Sequence, residues 1–192
     1  MLFRSDGNRK LQLDLATKVG FPLPGEEEKA TAAILEVTQP GDTPESLRRA
    51  DLPVHKVCWW GARMYCAWRG HELPTVEALD SAWGKSAYPW GNLWDPMETN
   101  TNERYSPGQS VSLHKATGIL NFHALHGNVA EFCSDTSNDG EVVTYGGSAW
   151  AQGEKIVRGK NTKVDNQRDA RKQFVAGNGF RTMLRVPETW NE

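Results

Sequence analysis

The chain has 192 residues, 38% of them hydrophobic, with 18 Gly, 10 Pro and 8 Trp, a net charge of -2 and a pI near 6.2. Such a length fits one domain able to bury a sizeable core, and the composition excludes a disordered or fibrous chain. The charge gives no general attraction to nucleic acid or to an anionic membrane, and no run of about 18 apolar residues is present, so neither nucleic-acid binding nor membrane insertion is expected. The start, Met1 to Asp6, lacks the apolar centre of a signal peptide, which predicts cytoplasmic synthesis without ordinary secretion.

Residues 1–35 read as an amino-terminal arm that packs on its own domain or on a neighbouring subunit. Leu11, Leu13 and Leu15 alternate as in a short strand, Pro22, Pro24 and Gly25 stop any helix, and Glu26, Glu27 and Glu28 form an acidic run. Ala33 to Thr38 reads as a strand ended by Pro40, Gly41 and Asp42, so the main domain is drawn over residues 36–192. Ala62, Tyr65, Cys66 and Arg69 then fall on one face at helical spacing, with Gly70 as the stop and no acid in the first turn. Thr75 can cap a second helix whose face carries Val76, Leu79 and Trp83 and which Gly84 ends.

The Gly127-Asn128 step demands unusual backbone angles, and Val129 to Phe132 alternates like a half-buried strand. Gly146-Gly147 before Ser148 suggests close backbone approach. Cys58, Cys66 and Cys133 are too few and too scattered for a disulfide framework and are read as buried free thiols. His123 and His126 stand three apart, but no carboxylate completes a metal triad with them, so they are read as satisfied or exposed histidines.

From Ala151 to Asn178 the composition suits a recognition surface. Lys155, Arg158, Lys160, Lys163, Arg168, Arg171 and Lys172 make seven basic side chains against three acidic ones, a surplus of +4 that leaves -6 for the remainder of a chain with net charge -2. Asn161 and Asn166 are among the interleaved donors and acceptors, and Trp150 opens the stretch. Trp59, Trp68, Trp90 and Trp150 are expected mainly to fill the core, as is Phe180, while Arg181 is expected to pair inside the fold.

Several motifs in fixed order carry a resemblance. They are Leu52 to Trp59, His71 to Thr75, Tyr88 to Asn92, Thr99 to Glu103, Gly127 to Phe132, Gly146 to Trp150 and Gly179-Phe180-Arg181. In that order they resemble the formylglycine-generating enzyme, or sulfatase-modifying factor, family over about residues 52–186. The resemblance makes Leu52 to Trp59 a strand and implies an α+β, C-type-lectin-like fold of short helices, a small twisted antiparallel sheet and extensive loops.

It also sets the terms for function. In this family two cysteines shortly after Gly-Gly-Ser bind copper and oxidise a substrate cysteine. The matching positions fall near Ala151 and Ile156, so catalysis of that type is not expected. Calcium is the cofactor the resemblance leaves open, with Gly127, Val129 and Glu131 in one loop, where Ala124 replaces a usual ligand, and Asn100 and Thr101 in another. Non-catalytic relatives with this fold include the variable ligand-binding proteins of diversity-generating retroelements, whose variable stretch corresponds to residues 151–178. The leading expectation is a binding or structural module for a protein or glycan ligand, within a larger assembly or homo-oligomer, such as a phage virion decoration. The alternatives are a formylglycine-generating-type oxidoreductase with altered metal ligands and a small-ligand-binding regulatory domain.

Overall fold

Helices occupy the first half of the chain and the main sheet the second half in the computed structural model, which describes residues 9–38, 52–101, 116–136, 141–156, 162–163, 171 and 177–184. The helices are α1 (Arg9–Lys18), α2 (Glu27–Thr38), α3 (Trp59–Arg69) and α4 (Val76–Trp83). The strands are β1 (Ala116–Thr117), β2 (Phe122–His123), β3 (Ala130–Thr136), β4 (Val142–Tyr145), β5 (Thr162–Lys163) and β6 (Asn178–Gly179). β1 and β2 form a small antiparallel ribbon. The main sheet has the order β5-β4-β3-β6, antiparallel except for β6, which runs parallel to β3.

Three strand expectations are corrected. The leucines at 11, 13 and 15 lie on α1, where the buried set is Gln12, Leu15 and Ala16. That spacing of three and four is the helical one, and it outweighs a three-residue alternation. Ala33 to Thr38 is the end of α2, which buries Ala30, Ile34 and Val37 on one stripe and has Glu27 and Glu28 in its first turn, where carboxylates favour a helix. The division drawn at residue 36 therefore falls inside α2. Leu52 to Trp59 contributes a single antiparallel bridge, His55 to Gly179. Lys56 takes φ 54°, which breaks an extended run, and Cys58 turns at once into the N-cap of α3.

The helices read from spacing are present. Cys58 Sγ accepts from the Gly61 N–H at the start of α3, and Gly70 closes it with φ 73°. Thr75 Oγ1 accepts from the Ala78 N–H at the start of α4. A second cap comes from β3, where Asp135 Oδ2 accepts from the Val76 N–H at 2.7 Å.

β3 is buried on both faces rather than alternating between core and solvent. Phe132 and Val142 face a cluster built with Ile34, Val37, Trp59, Trp60 and Met64, which joins α1, α2 and α3. Cys133, Val143 and Tyr145 face a second cluster with Leu79, Trp83 and Leu125. The period of two is thus real but sorts side chains between two cores. Cross-links fix the layers, for Trp59 Nε1–H donates to the Cys133 carbonyl at 2.8 Å and the Tyr145 hydroxyl donates to Asp80 at 2.6 Å. All three cysteines are buried and free, and burial pushes the Cys66 thiol up to about 12 and Cys133 higher still, so both stay protonated and unreactive.

Candidate recognition site

The turn into β3 is set by Gly127 at φ 77° and Asn128 at φ 65°. A side chain on Gly127 would collide with Thr99 and the Asn100 carbonyl, so the close approach needs glycine as well as the angle. The approach is productive: Asn128 N–H donates to the Asn100 carbonyl at 2.8 Å, and Asn100 Nδ2 donates to Asn128 Oδ1 at 3.1 Å. Both asparagines are fully buried.

Three residues after Asn128, Glu131 meets Arg181. Arg181 Nε and Nη2 each donate to one carboxylate oxygen at 2.5 Å, and Nη2 also reaches the His123 carbonyl at 3.3 Å. Burial works against the arginine's charge, but the Glu131 carboxylate prevails and the guanidinium pKa rises above its ordinary value. Pro53, His123, Val129 and Phe180 line an open cavity of about 290 Å³ beside the pair, and Phe122 lies 5.1 Å from the guanidinium carbon. At the first candidate loop both Glu131 oxygens are held by the one Arg181 guanidinium, which suits calcium poorly. At the second loop Asn100 is buried with its Nδ2 on Asn128 Oδ1, and no group of three His, Cys, Asp or Glu side chains that could hold a metal ion occurs among the described residues.

His126 is the residue whose importance the sequence understates. Its ring lies within 5.0 to 6.0 Å, centre to centre, of Trp83, Tyr88, Trp90 and Trp94. Nε2 stands 3.1 Å from the carbonyls of both Gly153 and Ile156, which assigns the proton to that nitrogen, and Nδ1 faces Thr99 Oγ1 at 2.9 Å. Burial lowers its pKa to about 4 against the raising effect of those carbonyls, so the ring is neutral near pH 7. His123, by contrast, is exposed on β2. Together with the Tyr88 hydroxyl, which donates to the Glu154 carbonyl at 2.8 Å, His126 holds the short 3-10 helix Gly153–Lys155 against the aromatic cluster.

That turn begins the basic stretch. Lys155 is exposed, and Trp150 is 43% exposed, so Trp150 departs from the core expectation while Trp59 fulfils it and Trp68 and Trp90 are half-buried. The Trp150 ring lies against the Gly177 backbone so closely that a side chain there would collide with it. Gly177 in turn accepts from the Ala130 N–H at 2.7 Å. The first and last parts of the stretch are thereby joined beside β3. Lys163 belongs to β5, and the Arg171 carbonyl accepts from the Trp60 N–H at 3.2 Å. Arg158, Lys160, Asn161, Asn166, Arg168 and Lys172 lie outside the described residues.

The order of these pieces matches the sulfatase-modifying factor enzyme 1-like domain over residues 17–186. The chain belongs to that family. An inactive C-alpha-formylglycine-generating enzyme 2 from Bos taurus is 42% identical over 67 residues, and so is its counterpart from Mus musculus; each match covers 32% of this chain and 22% of the relative. The chain therefore matches only about a fifth of the length of these curated relatives. Among solved structures, PvdO from Pseudomonas aeruginosa aligns with a TM-score of 0.57 at 18% identity, over 79% of this chain and 74% of that one. Treponema denticola variable protein 1 aligns at 0.55 and 14%, over 88% and 79%, and CarF at 0.52 and 16%, over 91% and 80%. These likenesses establish the α+β fold of this sulfatase-modifying-factor-like chain. The match also begins well before residue 52, where the motifs become dense, and takes in the end of α1 and all of α2.

Proposed function

We propose that this family member is a non-enzymatic binding module, in which a rigid C-type-lectin-like base presents residues 151–178 to a protein or glycan. The observation that carries the reading is the seating of Trp150 on Gly177, which closes the two ends of the basic stretch beside β3. Supporting it, no cysteine stands near Ala151 and Ile156, where the resemblance would put the family's copper ligands, and Ile156 packs over Gly147. The three cysteines present are buried, and two are held as thiols by that burial. Inactive relatives in the family make a module without turnover a known outcome of this fold. The mechanism consists of holding Trp150, Lys155 and Arg171 at fixed positions on one continuous scaffold.

The same reading places the chain in a larger assembly or homo-oligomer of virion-decoration type, a setting for which native mass by light scattering is the test. Recognition itself is tested by screening the purified chain against immobilised glycans and proteins, alongside a Trp150→Ala, Lys155→Glu variant. Loss of about tenfold or more in affinity at unchanged unfolding midpoint is expected. Equal binding by both proteins would remove this surface from the proposal.

A further inference from the structure

The open cavity of about 290 Å³ beside Glu131 and Arg181 is lined entirely by residues outside the 151–178 stretch. Its volume stands at the lower limit for ligand pockets, enough for one small group but not for a drug-sized molecule. Pro53, Ala124, Val129 and Phe180 give it apolar walls, while Glu131 and Arg181 supply its two ionised groups.

A guanidinium has five N–H donors in one plane. In Arg181 the Nε–H and one Nη2–H go to Glu131, and Nη2 also donates to the His123 carbonyl. Nη1 donates to none of the described residues and is not buried, so its two N–H groups remain for an outside acceptor. The guanidinium lies over the Phe122 ring at 5.1 Å, which covers one face and leaves the edge as the open direction. Glu131, itself 7% exposed, accepts one hydrogen bond on each oxygen from Arg181 and keeps further lone pairs. A donor and an acceptor thus stand side by side in a small pocket with apolar walls.

The same pair selects the charge of the occupant. An anion would meet the carboxylate and a cation the guanidinium, whereas a neutral group meets neither repulsion. A secondary amide carries the matching carbonyl and N–H, and a methyl beside it suits the apolar walls. An acetamido group has all three and ends in its methyl; a peptide amide continues as chain on both sides and needs a groove. We propose that this cavity binds the acetamido group of an N-acetylated sugar, with the carbonyl on Arg181 Nη1, the N–H toward Glu131 and the methyl against the apolar walls. The site is separate from Trp150, Lys155 and Arg171 and stands or falls without them.

The test titrates the isotopically labelled chain with methyl N-acetylglucosaminide and, in parallel, with methyl glucoside, following the Arg181 Nε–H and Val129 methyl signals. A saturable shift of both signals is expected with the acetamido sugar, at an affinity about tenfold or more above that for the glucoside. Ala124→Leu narrows the cavity while keeping both members of the ion pair, and Arg181→Lys removes the Nη1 donors. Each is expected to weaken binding about tenfold or more. If a variant does not fold, the contrast between the two sugars in the wild-type chain decides. Equal affinity for both sugars, no saturable shift with either, or unchanged affinity in a folded Ala124→Leu would overturn the site. Tighter binding of an alanine dipeptide blocked at both ends would give the cavity to peptides and overturn the sugar assignment.

Discussion

Glu131 and Arg181 show how one pair of side chains can carry a site. Their side chains are 10% and 22% exposed, and both carboxylate oxygens are taken by one guanidinium. Removing one partner leaves a charge in a partly dry cavity, whereas removing both leaves none. Arg181→Met is expected to cost about 3 kcal/mol in urea unfolding, and adding Glu131→Gln to recover part of that loss. His126 makes a second prediction at this scale. Its folded pKa, about 4, lies below the ordinary 6.5, so between those values the unfolded chain binds the proton that the folded chain refuses. Stability from this group is present above pH 6.5 and is lost as pH falls toward 4, by about 2 to 4 kcal/mol in total. Urea midpoints across that range in wild type and His126→Phe check it, because the variant should lose the pH-dependent part.

At the scale of elements, α4 is capped twice, by Thr75 from its own chain and by Asp135 from β3. Thr75→Ala and Asp135→Ala are each expected to cost about 1 kcal/mol, and chemical denaturation of the single and double variants gives the coupling. α3 and α4 were legible because their spacing, their caps and the stops Gly70 and Gly84 agree. α1 and α2 were not. Three alternating leucines imitated a strand while the buried stripe included a polar residue, Gln12, and the acidic run was read only as part of an arm although Glu27 and Glu28 lie in the first turn of α2. β3 was legible as a strand, but its two-sided burial depends on helices from both halves of the chain, which no local window contains.

For the whole molecule, motif order was enough to give the family and the fold, because each motif marks a turn or close approach that the fold cannot make otherwise, as Gly127 does beside Thr99. The long-range pairings were less visible. Arg181 was expected to pair internally, but nothing local named Glu131, and the aromatic ring of partners around His126 leaves no sequence signature. The proposed function is that of a scaffold without redox chemistry, whose glycine turns hold a recognition surface in place. Oxygen consumption by the copper-loaded chain, with a cysteine-containing peptide as substrate, tests this most directly. Uptake equal to that of copper and peptide alone is the result predicted here. Protein-dependent uptake with conversion of the peptide cysteine to an aldehyde would contradict it and return the chain to the enzymes of its family.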